Sequence, residues 1–395
     1  MKQRETAFEI IYKTMADSSY SNLLMRSKLE ELEPVKRPFV TSLVNGVLKD
    51  FDLFVYQYRD DIRKDTSLKN RIILAMALYE KKVLGKEPAI VNNEYVELVK
   101  GKYDRAFINA VLRKDREIVK AGEEHINESL PEWLYSLLKK QYGLQELRMI
   151  LDNYKRRPEV CYRINHRKAS FEDISDIEIL DEDCFLSRKK LIRKELRSEG
   201  KAYIQDFNSA ALYRHLDLKE NDVLLDVCSA PGSKFFNCLD TVKPENAYAN
   251  DIHEHRVKLI RDRAELLGFE GIHVSCMDGR KLKEIYGQIF TKIILDVPCS
   301  GLGTLGRRPD LKYHISPKDL DELQQIQYEL LRENSALLKK DGIILYSTCT
   351  LNRKENQKQV ESFLKENEGF VLLEEKTVIN DLGDCFYYAK LQRNI

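Results

Sequence analysis

Three carboxylates and two thiols stand just after short apolar runs in this sequence. They are Asp251 in Asn250-Asp251-Ile252, Asp278 in Asp278-Gly279-Arg280, Asp296 and Cys299 in Asp296-Val297-Pro298-Cys299-Ser300-Gly301, and Cys349 in Ser347-Thr348-Cys349-Thr350. One acid at a strand end is commonly a helix cap, and one cysteine is commonly a small buried hydrophobe. Five such groups at successive strand ends exceed what capping requires. Upstream lies Val223-Leu224-Leu225-Asp226-Val227-Cys228-Ser229-Ala230-Pro231-Gly232-Ser233-Lys234, followed by Phe235 to Leu239. The pattern is that of a strand buried on both faces, a tight turn and the start of a helix. Such a turn aims backbone N–H groups at a polar ligand. Asp251, roughly 20 residues further on, is placed to accept hydrogen bonds from ribose hydroxyls. Cys228, Cys238 and Cys276 read as core residues, the first also bordering the turn.

These groups need a scaffold, and from about residue 200 the pattern alternates strand with helix. Strands are expected over Val223 to Cys228, Ala247 to Ile252, Ile272 to Cys276, Lys292 to Val297 and Ile343 to Thr348. A helix ending at Gly268 follows the second. Ser316-Pro317 opens a long helix continuing to Lys340, and another runs from about Lys354 to Lys365. Phe370 to Leu373 and Phe386 to Leu391 close the sheet as a hairpin. In a parallel sheet the five groups share one crevice beyond the strands' carboxyl ends, near the switch in strand order.

The front of the chain is different. Residues 1–125 keep helical spacing throughout, as in Phe8, Ile11, Tyr12 and Met15, and form a compact helical bundle. Lys114 to Asn127 reads as a charged linker. Ser129-Leu130-Pro131-Glu132 has the form of a capping box opening a helix through Trp133, Leu134, Leu137 and Leu138. Gly143 stops that helix, and a second runs to about Lys155. A strand over 159–165 is flanked by Lys155-Arg156-Arg157 and His166-Arg167-Lys168, and Pro158 precedes it. This basic interval is either a solvated face or a phosphate contact. A further cluster, Arg188-Lys189-Lys190 with Arg193-Lys194, is offset by Asp181-Glu182-Asp183. Three domains result: 1–125, a linking module at 126–200, and an α/β domain at 201–395.

Composition sets limits on function. The chain has 395 residues, 43% hydrophobic and 33% charged, which is a globular balance. A formal charge of +1 rules out a globally basic body, so a nucleic acid would be held by local patches. The eight cysteines are scattered and form no CxxC pair, which excludes a zinc or redox motif and suits a reducing cytoplasm. Neither a signal peptide nor a membrane span is expected.

Asp226 through Lys234 resembles the first motif of the class I S-adenosylmethionine-dependent RNA cytosine methyltransferases of the NOL/NOP/Sun family. Asp296 to Gly301, continuing through Arg307-Arg308-Pro309-Asp310-Leu311-Lys312-Tyr313, resembles their fourth motif. Tyr346-Ser347-Thr348-Cys349 with Glu355-Asn356 resembles the sixth. The likeness is strong over residues 200–395, and the helical front is similar to the NusB-like RNA-binding domain of the Sun/Fmu (RsmB) branch. The implied fold is multidomain: an all-α NusB-like bundle, a small α+β linking RNA-binding module, and an α/β Rossmann-like methyltransferase domain. The implied activity is methylation of carbon 5 of one cytosine in 16S ribosomal RNA of the small subunit. The implied enzyme is cytoplasmic and monomeric, with no metal and no membrane partner.

Carried over by position, Cys228, Ser229, Ala230, Pro231, Gly232, Ser233 and Lys234 line the methionine moiety of S-adenosylmethionine. Asp251 holds the ribose, Asp278 the adenine end, and Asp296 lies between cofactor and base. Cys349 matches the nucleophile and Cys299 the cysteine that assists product release. These residue types suit the chemistry. A thiolate adding to carbon 6 makes carbon 5 nucleophilic, and the base must be unpaired or flipped to reach it. Ser233 replaces a usual glycine, Gly306 a usual arginine, and Arg353 a usual proline. DNA cytosine methyltransferases use the Pro-Cys cysteine, which here is Cys299. A transfer RNA substrate, or a non-catalytic RNA-binding or assembly factor on a methyltransferase scaffold, are the alternatives.

Overall fold

The computed structural model describes residues 2–17, 19–156, 159–187 and 190–395. Arg157, Pro158, Arg188 and Lys189 lie outside the described residues, as do the side chains of Lys190 and Arg193. The chain divides into two compact units, Met1–Leu147 with Leu305–Ile315, and Arg148–Thr304 with Ser316–Ile395.

The first unit is helical, as its periodicity predicts. It holds α1 (Lys2–Ala16), α2 (Ser21–Glu30), α3 (Arg37–Tyr56), α4 (Leu68–Leu78), α5 (Pro88–Leu98), α6 (Lys102–Leu112), α7 (Glu124–Asn127) and the start of α8 (Glu132–Lys155). Their apolar stripes meet in one core that includes Ile10, Ile11, Val44, Leu48, Phe54, Met76 and Ile108. The expected linker is folded back onto this bundle: Val119 exchanges two hydrogen bonds with the Gln57 side chain, at 3.0 and 2.9 Å, and Arg116 pairs with Asp61. Ser129 does not build the expected capping box. It sits at φ 46°, before α8 begins, and its hydroxyl accepts from the Leu53 N–H at 3.0 Å. That donor is released by a kink in α3 at Asp50 (φ −117°, ψ 27°). As expected, the α8 backbone breaks at Gly143, whose φ of 70° and ψ of −177° fit glycine alone.

In the second unit a small module carries β1 (Cys161–Ile164), β2 (Ile177–Ile179), β3 (Cys184–Ser187), α9 (Lys190–Ser198) and β4 (Ala202–Ile204). Its four strands form an antiparallel sheet in the order β2-β3-β1-β4. Arg163, in the basic interval read as a solvated face or phosphate contact, points inward instead. It is 1% exposed and paired with Asp240 at 2.6 Å and Asp183 at 3.3 Å.

The remaining elements are α10 (Phe207–Ala211), β5 (Leu224–Asp226), α11 (Ser233–Cys238), β6 (Ala247–Asp251), α12 (Glu254–Leu267), β7 (His273–Cys276), β8 (Phe290–Asp296), α13 (Leu311–His314), α14 (Pro317–Ser335), β9 (Leu338–Thr348), α15 (Gln357–Glu366), β10 (Phe370–Val378) and β11 (Phe386–Arg393). Of these, α13 belongs to the helical unit. The sheet runs β10-β11-β9-β8-β5-β6-β7, parallel from β9 to β7, with the expected antiparallel hairpin at the other edge. Neighbouring residues feed opposite cores: Leu224, Ile294 and Leu345 one face, Leu225, Ile293 and Ile344 the other. The chain enters at β5, builds outward to β7, and returns to β8 on the other flank, so strand order switches between β5 and β8.

The apolar pattern predicts one long helix reaching Lys340, and the structure shortens it. Helix α14 starts at the expected Ser316 cap, a capping box with Asp319, but ends at Ser335. Leu338 instead pairs with Phe290 as β9 begins, so Leu337 and Leu338 serve a strand end, not a helix face. Cys276, expected in the core, is exposed on edge strand β7. Among the described residues, no helix is long and apolar enough to cross a membrane.

Candidate active site

The turn after β5 folds because its backbone is tied to the next strand. Ser229 N–H donates to Asn250 O at 2.8 Å, and the Asn250 amide donates to Val227 O and Met277 O at 3.0 and 2.9 Å. Gly232 sits at φ 92°, where a Cβ would lie 2.5 Å from the Phe236 ring, so only glycine fits. Asp251, buried at the end of β6, accepts from Ala230 N–H and His253 N–H, both at 3.3 Å, and faces Arg256 at 3.4 Å. Arg256 also donates to Ala230 O at 2.9 Å, which closes the turn from its other side. Ser233 Oγ accepts from Arg263 at 2.6 Å.

Across the switch point, Lys234 Nζ meets Asp296 Oδ2 at 2.5 Å, and Ser347 Oγ donates to Asp296 Oδ1 at 3.1 Å. Lys234 is half-buried, and its loss of solvent alone would lower its pKa. The adjoining Asp296 carboxylate outweighs this and raises it. The Phe386 ring lies 5.3 Å from the same ammonium.

Cys299 and Cys349 come from different strand ends and meet, with Sγ to Sγ 3.4 Å. Contact with Cys349 and then burial push the Cys299 thiol well above its usual range, and the charges of Glu355 and Asp296 act in the same direction. Lys234, by contrast, is the cation that faces Cys349. Two thiols this close do not both ionise readily. A cation therefore faces Cys349, while anions face Cys299.

The loops carrying the two cysteines are locked together by a buried carboxylate. Glu355, 0% exposed, accepts from Ser300 N–H (2.9 Å), Ser300 Oγ (2.6 Å), Gln327 Nε2 (3.0 Å) and Asn352 Nδ2 (3.1 Å). Ser300 Oγ is also 2.6 Å from Thr350 Oγ1. A carboxylate only accepts, so the Ser300 proton points to Glu355 and Thr350 must donate to Ser300. Asn356 holds the residues on either side of Cys349, accepting from Thr348 Oγ1 at 2.6 Å and donating to Thr350 O at 2.9 Å.

Asp278 has a partner of its own. Its carboxylate is occupied by Arg280, through the guanidinium at 2.7 to 3.1 Å and the backbone N–H at 3.0 Å, and it caps the 3-10 turn that follows. Arg280 holds its carboxyl below the usual range. The segment that carries it nevertheless runs beside the turn, since one Asn250 amide bonds both Val227 O and Met277 O, and a Cβ on Gly279 would lie 2.7 Å from the Val227 side chain.

One acid at the same rim is absent from the residues singled out by sequence. Asp226, 1% exposed at the end of β5, has an Oδ1 with no partner among the described residues. Burial first, then the Asp296 charge, push its carboxyl up to about 7. The signal that marks Asp251 and Asp296, an acid closing an apolar strand, marks Asp226 as well. Gln327 and Ser347 give no such signal, because they act through partners distant in sequence.

Comparisons with known proteins bear on the fold and the family. Residues 213–392 match the family 16S rRNA methyltransferase RsmB/F, residues 1–115 the NusB family, and residues 130–182 the ferredoxin-like domain of RsmF/B-like methyltransferases. The Probable ribosomal RNA small subunit methyltransferase B of Bacillus subtilis (strain 168) is 34% identical over 93% of this chain and 89% of its own length. Among solved structures, PH0851 shares the fold with a TM-score of 0.77 and 21% identity over 98% of both chains. NSun6 from Pyrococcus horikoshii gives a TM-score of 0.58 and 19% identity over 67% of this chain and 98% of its own. The fold is therefore a Rossmann-like methyltransferase domain joined to a NusB helical domain through a small β module. The chain belongs to the 16S rRNA methyltransferase RsmB/F family and is an RNA methyltransferase.

Proposed function

We infer that the protein transfers a methyl group from S-adenosylmethionine to carbon 5 of a cytosine in 16S ribosomal RNA. The observation that carries this reading is the pair of thiols 3.4 Å apart beside the Lys234–Asp296 ion pair. A transferase acting on a nucleophilic nitrogen or oxygen needs no such pair, whereas carbon 5 of cytosine requires a nucleophile to activate it.

The rim suits the cofactor. Asp251 is fixed for a ribose, the Pro231-Gly232 turn leaves its backbone close to the crevice, and the open Oδ1 of Asp226 offers an acceptor. Cys228 to Lys234 would line the methionine moiety, and Asp251 the ribose. Asp278 would reach the adenine end only if Arg280 shares its carboxylate. When bound, S-adenosylmethionine supplies an electrophilic methyl group.

Cys349, as thiolate, forms a bond from Sγ to carbon 6, and the ring electron pair moves to carbon 5. Asp296, charged against Lys234, accepts a hydrogen bond from the exocyclic amine and orients the ring. Once carbon 5 carries its methyl, its proton passes to solvent water, and the pair from that carbon–hydrogen bond forms the carbon 5–carbon 6 double bond. The carbon 6–sulfur bond then breaks, and its electron pair returns to Cys349. Cys299 keeps its proton at neutral pH and donates a hydrogen bond to the departing thiolate, which favours release. Eight free cysteines fit a reducing cytoplasm.

The test is to supply labelled S-adenosylmethionine with 16S ribosomal RNA and with transfer RNA, and to map the modified nucleoside. Label in 5-methylcytosine of the ribosomal RNA is expected. Label in any other nucleoside, or RNA binding with no label, refutes the reading.

A further inference from the structure

A groove of about 770 Å³ opens between the small module and α12, away from the thiols. Its floor is apolar, with Tyr203 beneath and Ile204 and Leu266 each 41% exposed. Its rim carries Lys194, Arg197 and Arg263.

In sequence, Asp181-Glu182-Asp183 offsets the basic run that ends at Lys194. In the folded chain these acids are taken by other cations. Arg214 pairs with Asp181 at 3.1 Å, Glu182 at 3.2 Å and Asp183 at 2.8 Å, and Arg163 takes Asp183 and Asp240. Among the described residues, Lys194, Arg197 and Arg263 are left with no carboxylate at ion-pair distance. Arg263 is fixed by Ser233 Oγ at 2.6 Å and by the Tyr203 ring, 5.6 Å from its guanidinium. Burial lowers its pKa, and the neighbouring charge of Arg197 adds to the effect. Like charges held together over an apolar floor, with their acids spent elsewhere, call for an external anion.

We propose that this groove seats the backbone of the substrate RNA, with phosphates on Lys194, Arg197 and Arg263 and a ribose or base edge over Ile204 and Leu266. The assignment rests on RNA being the substrate. A polyanion answers three cations in a row, and the apolar floor favours a strand with exposed bases over a small inorganic anion. Arg263 ties the groove to Ser233 in the cofactor turn, so RNA seated there reaches the same end of α11.

The experiment measures binding of full-length protein to 16S ribosomal RNA across a salt series. Lys194→Ala with Arg197→Ala should weaken binding about 10-fold at low salt and reduce the slope of log K against log salt by about 1.4. Ile204→Lys, which adds a cation, should increase that slope by about 0.7. Affinity for S-adenosylmethionine should be unchanged in both. Slopes equal to wild type in both variants, with wild type binding RNA normally, overturn the groove and leave the methyltransferase reading intact. Wild-type protein that neither binds nor methylates RNA overturns that reading itself. Loss of inorganic phosphate binding without any change in the RNA slopes marks a small-anion site and also overturns the proposal.

Discussion

At the scale of the residue, the site depends on charges held close to one another at a strand rim. Asp226 shows the cost most directly, since it is buried, and one oxygen lacks a partner among the described residues. Its folded pKa of about 7 lies above the unfolded value, so it contributes stability that is present below about pH 4 and is lost as pH rises through about 7. Asp226→Asn should remove this dependence. The variant should gain on wild type between pH 4 and 8, read by denaturant titration at several pH values, and a difference that stays flat would contradict the assignment. The acids and thiols of the rim are legible in the sequence because each closes an apolar strand. Asp226 carries the same signal, but its raised pKa does not follow from it, because its neighbours Asp296 and Lys234 are brought to it only by folding.

At the scale of the element, strands β8 and β9 deliver the thiols, but the loops beyond them need a further constraint. Glu355 supplies it by accepting four neutral donors from three segments. Glu355→Gln places a donor among donors, so at least one of these bonds must break. Displacement of the loops by even 1 Å should lower kcat about 100-fold with little change in the KM for S-adenosylmethionine. Unaltered steady-state kinetics would show that the sulfurs are aligned by other means. The sequence displays Glu355 only through resemblance, because its link to Ser300 spans 55 positions. Helix α14 reads too long in sequence for a related reason: Leu337 and Leu338 continue its apolar pattern, and only pairing with Phe290 makes Leu338 a strand residue.

At the scale of the whole molecule, the helical unit is completed by Leu305–Ile315, which lies more than a hundred residues downstream of the rest. Ser21 N–H donates to Asp310 at 3.0 Å, Tyr313 donates to Leu48 O at 2.7 Å, and His314 donates to Thr14 O at 2.9 Å. Lys312 donates to Lys49 O at 2.7 Å and to Ser129 O. Burial lowers the Lys312 pKa to about 8. Lys312→Met leaves two carbonyls without this donor and should cost about 2 kcal/mol, seen as a lower Tm at pH 7. With a folded pKa below the unfolded one, the buried charge penalises wild type at low pH and the penalty fades as pH rises from about 8 to 10.5. The stability gap between wild type and variant, measured from pH 7 to 10, should therefore widen if the ammonium is the costly form, and a constant gap would argue against it. None of this is legible in the sequence, because the receptor is a set of backbone carbonyls beside a helix kink. The division of labour between the two sulfurs is tested most directly by a denaturing gel of protein with 16S ribosomal RNA and S-adenosylmethionine. Cys349→Ala should give neither adduct nor product, and Cys299→Ala should leave protein covalently bound to RNA. An adduct retained by Cys349→Ala and absent from Cys299→Ala would contradict it.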